Sequence, residues 1–119
     1  MPKRPSKIRV GWQTYHVTYF PEKKWIEDHS DYDRGITYNS KGTIDLRLAI
    51  EGVPYNEASL RETLLHELVH ACFHVSRIDF DNLKKHTDLE EHVAGRLPGP
   101  LLAVLRDNPN VLEYLTASD

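Results

Sequence analysis

The stretch Glu62-Thr63-Leu64-Leu65-His66-Glu67-Leu68-Val69-His70-Ala71-Cys72-Phe73 decides how this chain folds. Leu60, Leu64, Leu68, Ala71, Cys72 and Val75 recur at helical spacing, so the segment predicts an amphipathic helix with one apolar stripe. Ser59-Leu60-Arg61-Glu62 has the form of a capping box and is expected to start that helix. At 100° per residue from Leu60 the stripe is centred near 60°, whereas His66, His70 and Glu67 fall at about 240°, 280° and 340°. The two histidines therefore lie away from the core side.

Residues four apart on a helix stack one turn above the other, so His66 and His70 can turn their imidazoles to one metal ion. Glu67, one position after the first histidine, falls beside such an ion rather than on it. There it is placed to take a proton from a water that the ion polarises. A catalytic zinc takes three protein ligands and keeps one position open, so a third ligand is expected downstream. The candidates are His74, Asp79, Asp81, His86, Asp88, Glu90, Glu91 and His92. His74 shares the helix but stands two turns from His66, too far to close on the same ion; it is expected to line the cleft instead.

Asp88-Leu89-Glu90-Glu91-His92-Val93-Ala94-Gly95-Arg96-Leu97 predicts a second amphipathic helix with Asp88 as N-cap. From Leu89, its apolar positions Val93, Leu97 and Ala94 fall at about 40°, 80° and 140°, and Glu90 at about 100° lies inside that arc. Glu91 is near 200° and His92 near 300°, outside it. A carboxylate on the buried side of a helix needs a partner, and a zinc ion on the neighbouring helix supplies one. Glu90 is therefore the expected third ligand, with Glu91 and then His86 as substitutes.

His66-Glu67-x-x-His70 followed by a helical glutamate resembles the gluzincin branch of zinc metallopeptidases. The small size and compact strand region resemble the minimal ImmA/IrrE-like and phage-encoded zincins. The resemblance spans roughly residues 35 to 105 and rests mainly on Glu62 to Phe73; where ImmA/IrrE-like members carry Glu-Ala-Asn, this chain has Glu90-Glu91-His92-Val93. A SprT-like arrangement with three histidine ligands would instead promote His86. The resemblance implies an α+β minimal zincin-like fold, in which a sheet of three to four strands packs on the histidine-bearing helix and a second ligand-bearing helix. It also implies a zinc-dependent endopeptidase: one Zn²⁺ on His66, His70 and Glu90, Glu67 as general base, and a protein or peptide as substrate. His74, Tyr38 and His86 are the candidate donors to the oxyanion. The alternative is a non-enzymatic protein of zincin fold, zinc-stabilised and serving binding, phage structure or regulation. Retention of Glu67 argues against it, since a purely structural site needs no general base.

The 119-residue chain as a whole fits one domain of ordinary globular composition, 39% hydrophobic and 28% charged. Ile8-Arg9-Val10 and Tyr15-His16-Val17-Thr18-Tyr19-Phe20 alternate as two short strands ending at Pro21. The segment with Trp25, Asp31 and Tyr32 has room for a turn of helix. Gly35–Asn39 and Thr43–Leu48 form a predicted hairpin around Asn39-Ser40-Lys41-Gly42. By the zincin resemblance, Thr43–Leu48, the strand preceding the metal helix, is expected to rim the cleft and take substrate as an added strand. Glu51–Tyr55 is expected as a loop. After Pro98-Gly99-Pro100 a third helix runs from Leu101 to about Arg106, and Val111, Leu112 and Leu115 predict a last turn docked on the core.

Cys72 is the only cysteine, which excludes an internal disulfide, and it falls with the apolar stripe. No stretch reaches membrane-spanning length and Met1–Val10 lacks a signal-peptide core, so a cytoplasmic protein is expected. Lys3, Arg4, Lys7 and Arg9 make a basic start, expected over residues 1–7 as a flexible tail. The net charge of −3 argues against a surface built to grip nucleic acid. Oligomeric state is not legible.

Overall fold

The computed structural model describes residues 2–29, 33–76 and 89–118, apart from the side chains of Glu90 and Glu91. The chain is a mixed α+β structure. Strands β1 (Lys7–Val10) and β2 (Gln13–Phe20) are followed by helix α1 (Glu22–Asp28), then by the hairpin β3 (Gly35–Tyr38) and β4 (Thr43–Arg47). A two-stranded ribbon, β5 (Ala49–Ile50) with β6 (Val53–Pro54), leads into the long helix α2 (Glu57–Ser76). Helices α3 (Leu89–Arg96), α4 (Pro98–Asp107) and α5 (Pro109–Leu115) complete it. Among the described residues no helix is long and apolar enough to cross a membrane.

The main sheet has the order β1-β2-β4-β3. β1 and β3 run antiparallel to their neighbours, whereas β2 and β4 are parallel, as a connection through α1 and β3 permits. Strand alternation divides the sheet into two faces. Ile8, Val10, Tyr15, Val17, Ile44 and Leu46 point to one face, where they form the core with Leu64, Leu68, Ala71 and Cys72 of α2, Val104 of α4, and Val111 and Tyr114 of α5. The other face carries Phe20, Tyr38 and Asp45. It is covered by Trp25 of α1 and by His29, whose ring lies 4.2 Å from Trp25 and whose Nε2 is 3.3 Å from Asp45.

The turn between β3 and β4 needs glycine at Gly42. Its φ is +68°, and a Cβ there would lie 2.8 Å from the Thr14 carbonyl oxygen. Polar residues hold the elements together where apolar packing ends. Asn108, between α4 and α5, accepts from the Arg9 amide and donates to the carbonyls of Arg9 and Val104, which clasps β1 to the helical layer.

Several expectations are corrected. Glu51–Tyr55 is not a plain loop: Val53 and Pro54 pair with Ile50 and Ala49 in a tight ribbon turned at Glu51 and Gly52, both at positive φ, as a two-residue hairpin of the primed type requires. The N-cap of α2 is Asn56, not Ser59: the Asn56 Oδ1 accepts the Ser59 amide at 2.8 Å, and the helix already runs from Glu57. The basic start is not loose from Arg4 onward. Arg4 pairs with Glu57, Pro5 is buried and accepts from the Tyr19 hydroxyl at 2.7 Å, and Ser6 accepts from the Val17 amide. In α5, Tyr114 and Val111 are the buried residues, while Leu112 faces outward. β4 lies between β2 and β3, so Thr43–Leu48 has no open edge and cannot be the strand that takes substrate; among the described residues β3 is the edge strand on that side.

Candidate active site

Helix α2 buries Leu60, Leu64, Leu68, Ala71 and Cys72 against the sheet, as its stripe predicts, and this fixes its rotation. His66 and His70 consequently emerge on the exposed side, with their Nε2 atoms 3.3 Å apart. Two Zn–N bonds of about 2.0–2.1 Å at a tetrahedral angle separate their nitrogens by roughly 3.3 Å, so the pair fits a single zinc ion. Glu67, by contrast, is only 4% exposed. It sits at the margin of the stripe, where α2 meets β3, and its Oε2 is 3.9 Å from the His66 Nε2.

A buried carboxylate must be hydrogen-bonded, and here β3 supplies the donor. The Thr37 Oγ1 lies 2.7 Å from Oε1 of Glu67 and 3.1 Å from the Glu67 carbonyl oxygen, so one hydroxyl proton faces two acceptors of the same residue. Gly35 eases this approach. A Cβ on it would stand 3.0 Å from Leu46 and Thr63 side-chain atoms and 3.1 Å from Cγ of Glu67. A side chain there would have to push these neighbours, Glu67 among them, aside by a few tenths of an ångström.

Between β3 and α2 runs a trough with two lobes sharing Asp33, Gly35, His66 and Glu67. One, of about 270 Å³, extends towards Glu62, Thr63 and Arg34. The other, of about 340 Å³, extends towards Thr37, Asn39 and His70. The general-base candidate and both histidines thus open onto one concave surface, along which β3 presents the side that no strand among the described residues pairs with.

The other candidates fall as follows. The Glu90 and Glu91 side chains, and Asp79, Asp81, His86 and Asp88, lie outside the described residues; only the α3 backbone bearing the two glutamates is seen. Among the described residues no group of three His, Cys, Asp or Glu side chains gathers at a common point. His74 does not line the trough; it packs against Trp12, with ring centroids 5.9 Å apart. Tyr38 is corrected as an oxyanion donor: its hydroxyl lies 3.3 Å from Nδ1 of His29 on the opposite face of the sheet, because Thr37 takes the face towards α2. Cys72 is core, and burial pushes its thiol up to about 11, far from a reactive thiolate. Residues missed by the sequence reading are Gly35, Thr37 and Asn39, all brought to the trough by the two-residue period of β3.

Comparison with protein-family models, curated proteins and solved structures gave no match.

Proposed function

We propose that the protein is a zinc-dependent metallopeptidase of minimal zincin type that cleaves peptide bonds in the trough between β3 and α2. The observation that carries this reading is the division of roles along one helical turn: two exposed imidazoles converging at 3.3 Å, and between them a buried, hydrogen-bonded carboxylate. A surface pair of solvated histidines has no use for that carboxylate. His66 and His70 would hold the ion, with Glu90 of α3 as the proposed third ligand. When bound, zinc supplies Lewis-acid polarisation of water and of the scissile carbonyl.

Glu67 is the general base. With Oε1 tied to Thr37, its Oε2 is left on the side of His66, where it takes the proton from the attacking water and returns it to the leaving amine. The edge of β3 fits an extended peptide added as a further strand, whose main chain would run beside Glu67. The substrate is accordingly a protein or peptide segment without regular structure of its own at the cleaved bond.

The test is a pair of variants on a peptide library. Glu67→Gln is expected to abolish turnover while keeping zinc, and His66→Ala to lose both. If the zinc-replete Glu67→Gln protein cleaves as fast as wild type, the reading fails. If the zinc-loaded wild type itself does not cleave, and only His66→Ala loses zinc and unfolds more easily, the metal serves structure alone.

A further inference from the structure

Asn39 follows β3 directly, two residues beyond Thr37, and lines the same lobe of the trough as His66, Glu67 and His70. Its carboxamide has an accepting end and a donating end, and the fold distinguishes them. Tyr15, fully buried in the core, donates its hydroxyl to Oδ1 of Asn39 at 2.7 Å. Burial pushes the Tyr15 hydroxyl up to about 12, so it keeps its proton and remains a donor at ordinary pH. The main chain is fixed as well, since Nε2 of Gln13 donates to the Asn39 carbonyl at 2.6 Å. With Oδ1 engaged from below by the core, the Nδ2 group is the end left for the trough.

We infer that Asn39, oriented by Tyr15, donates a hydrogen bond from Nδ2 to the carbonyl oxygen of the scissile peptide bond and to the oxyanion that this oxygen becomes on attack. A preorganised amide donor at such a point stabilises developing charge without reorganising. Asn39 would be a catalytic residue and Tyr15 a positioning residue acting through it. The inference rests on the hydrolase reading above and adds the donor that neither His74 nor Tyr38 supplies.

The experiment uses the full-length zinc-loaded protein with a peptide that the wild type cleaves, and a phosphinic analogue of that peptide as a tetrahedral mimic. Wild type, Asn39→Ala, Tyr15→Phe, the double variant and Glu67→Gln are compared for zinc content, kcat, KM and phosphinate affinity. Asn39→Ala is expected to keep zinc and KM while kcat falls about 100-fold, with phosphinate affinity falling in parallel. Tyr15→Phe is expected to lower kcat by about 10-fold alone and to have no further effect in the Asn39→Ala background. If Glu67→Gln abolishes turnover but Asn39→Ala leaves kcat within about twofold, this inference is overturned and the hydrolase reading stands. An equal loss from Tyr15→Phe in both backgrounds overturns the positioning role, since it would then act on the fold and not through Asn39. A wild type with neither zinc nor turnover overturns both.

Discussion

At Thr37 one hydroxyl holds the residue on which the proposed chemistry depends. Thr37→Val keeps the shape of the side chain and removes the donor. A hydrogen bond to a charged group contributes about 1.5–3 kcal/mol, so kcat is expected to fall roughly 10- to 100-fold with zinc content unchanged, and Thr37→Ser to restore most of it. Steady-state kinetics of the two variants decide this; an equal loss in Thr37→Ser, which keeps the hydroxyl, would show that the hydrogen bond to Glu67 does not carry the effect. His66, Glu67 and His70 were legible in the sequence because their relation is local: a four-residue spacing on a helix already marked by its apolar stripe. Gly35, Thr37 and Asn39 were not, because each acts on a residue brought to it by the fold. Thr37 and Glu67 are 30 positions apart, and Tyr15 and Asn39 are 24 apart. No periodicity records which threonine on a strand will face which carboxylate on a helix.

The strands and helices were largely legible as elements, and their arrangement was not. β1 to β4 follow from alternation, and α2 follows from its stripe. The order β1-β2-β4-β3 depends on β2 pairing in parallel with β4, and among the described residues this moved the open edge from Thr43–Leu48 to Gly35–Tyr38. Both strands alternate in the same way, so the sequence carries no mark of which one is central. The start of α2 shows a similar limit, since Asn56 and Ser59 are both capping residues and the choice is made by where β6 delivers the chain. Asn56→Ala is expected to destabilise the protein by about 1 kcal/mol and Ser59→Ala by much less, measured by urea unfolding. The reverse order would return the cap to Ser59.

At the level of the whole molecule, carboxylates tie distant parts of the chain together. The Arg4 guanidinium, with help from the Tyr114 hydroxyl, holds Glu57 below the usual carboxylate range, and this joins the N-terminal arm and α5 to the first turn of α2. The Gly52 amide and the Arg47 guanidinium hold Glu22 low, joining α1 to the β5–β6 ribbon. Groups with depressed folded pKa values contribute stability that is present above the ordinary value of 4.5 and is lost as pH falls through the folded value. Asp45 has the opposite sign, because burial outweighs His29 and raises its carboxyl, but it is one group against two. The Tm is therefore expected to fall as pH drops below about 4.5, and Glu57→Gln to flatten that decline; an unchanged slope would remove the tie from the account. Zinc would add to this framework by joining α2 to α3, which meets the sheet layer only through α4 among the main described packings. If His66 and His70 share one catalytic zinc, elemental analysis of zinc-replete wild type, His66→Ala, Glu90→Ala and Glu91→Ala reads it out as metal content. One zinc per chain is expected in wild type and in Glu91→Ala, and its loss in His66→Ala and Glu90→Ala. A wild-type protein that holds no zinc contradicts it and returns the two histidines to the solvent.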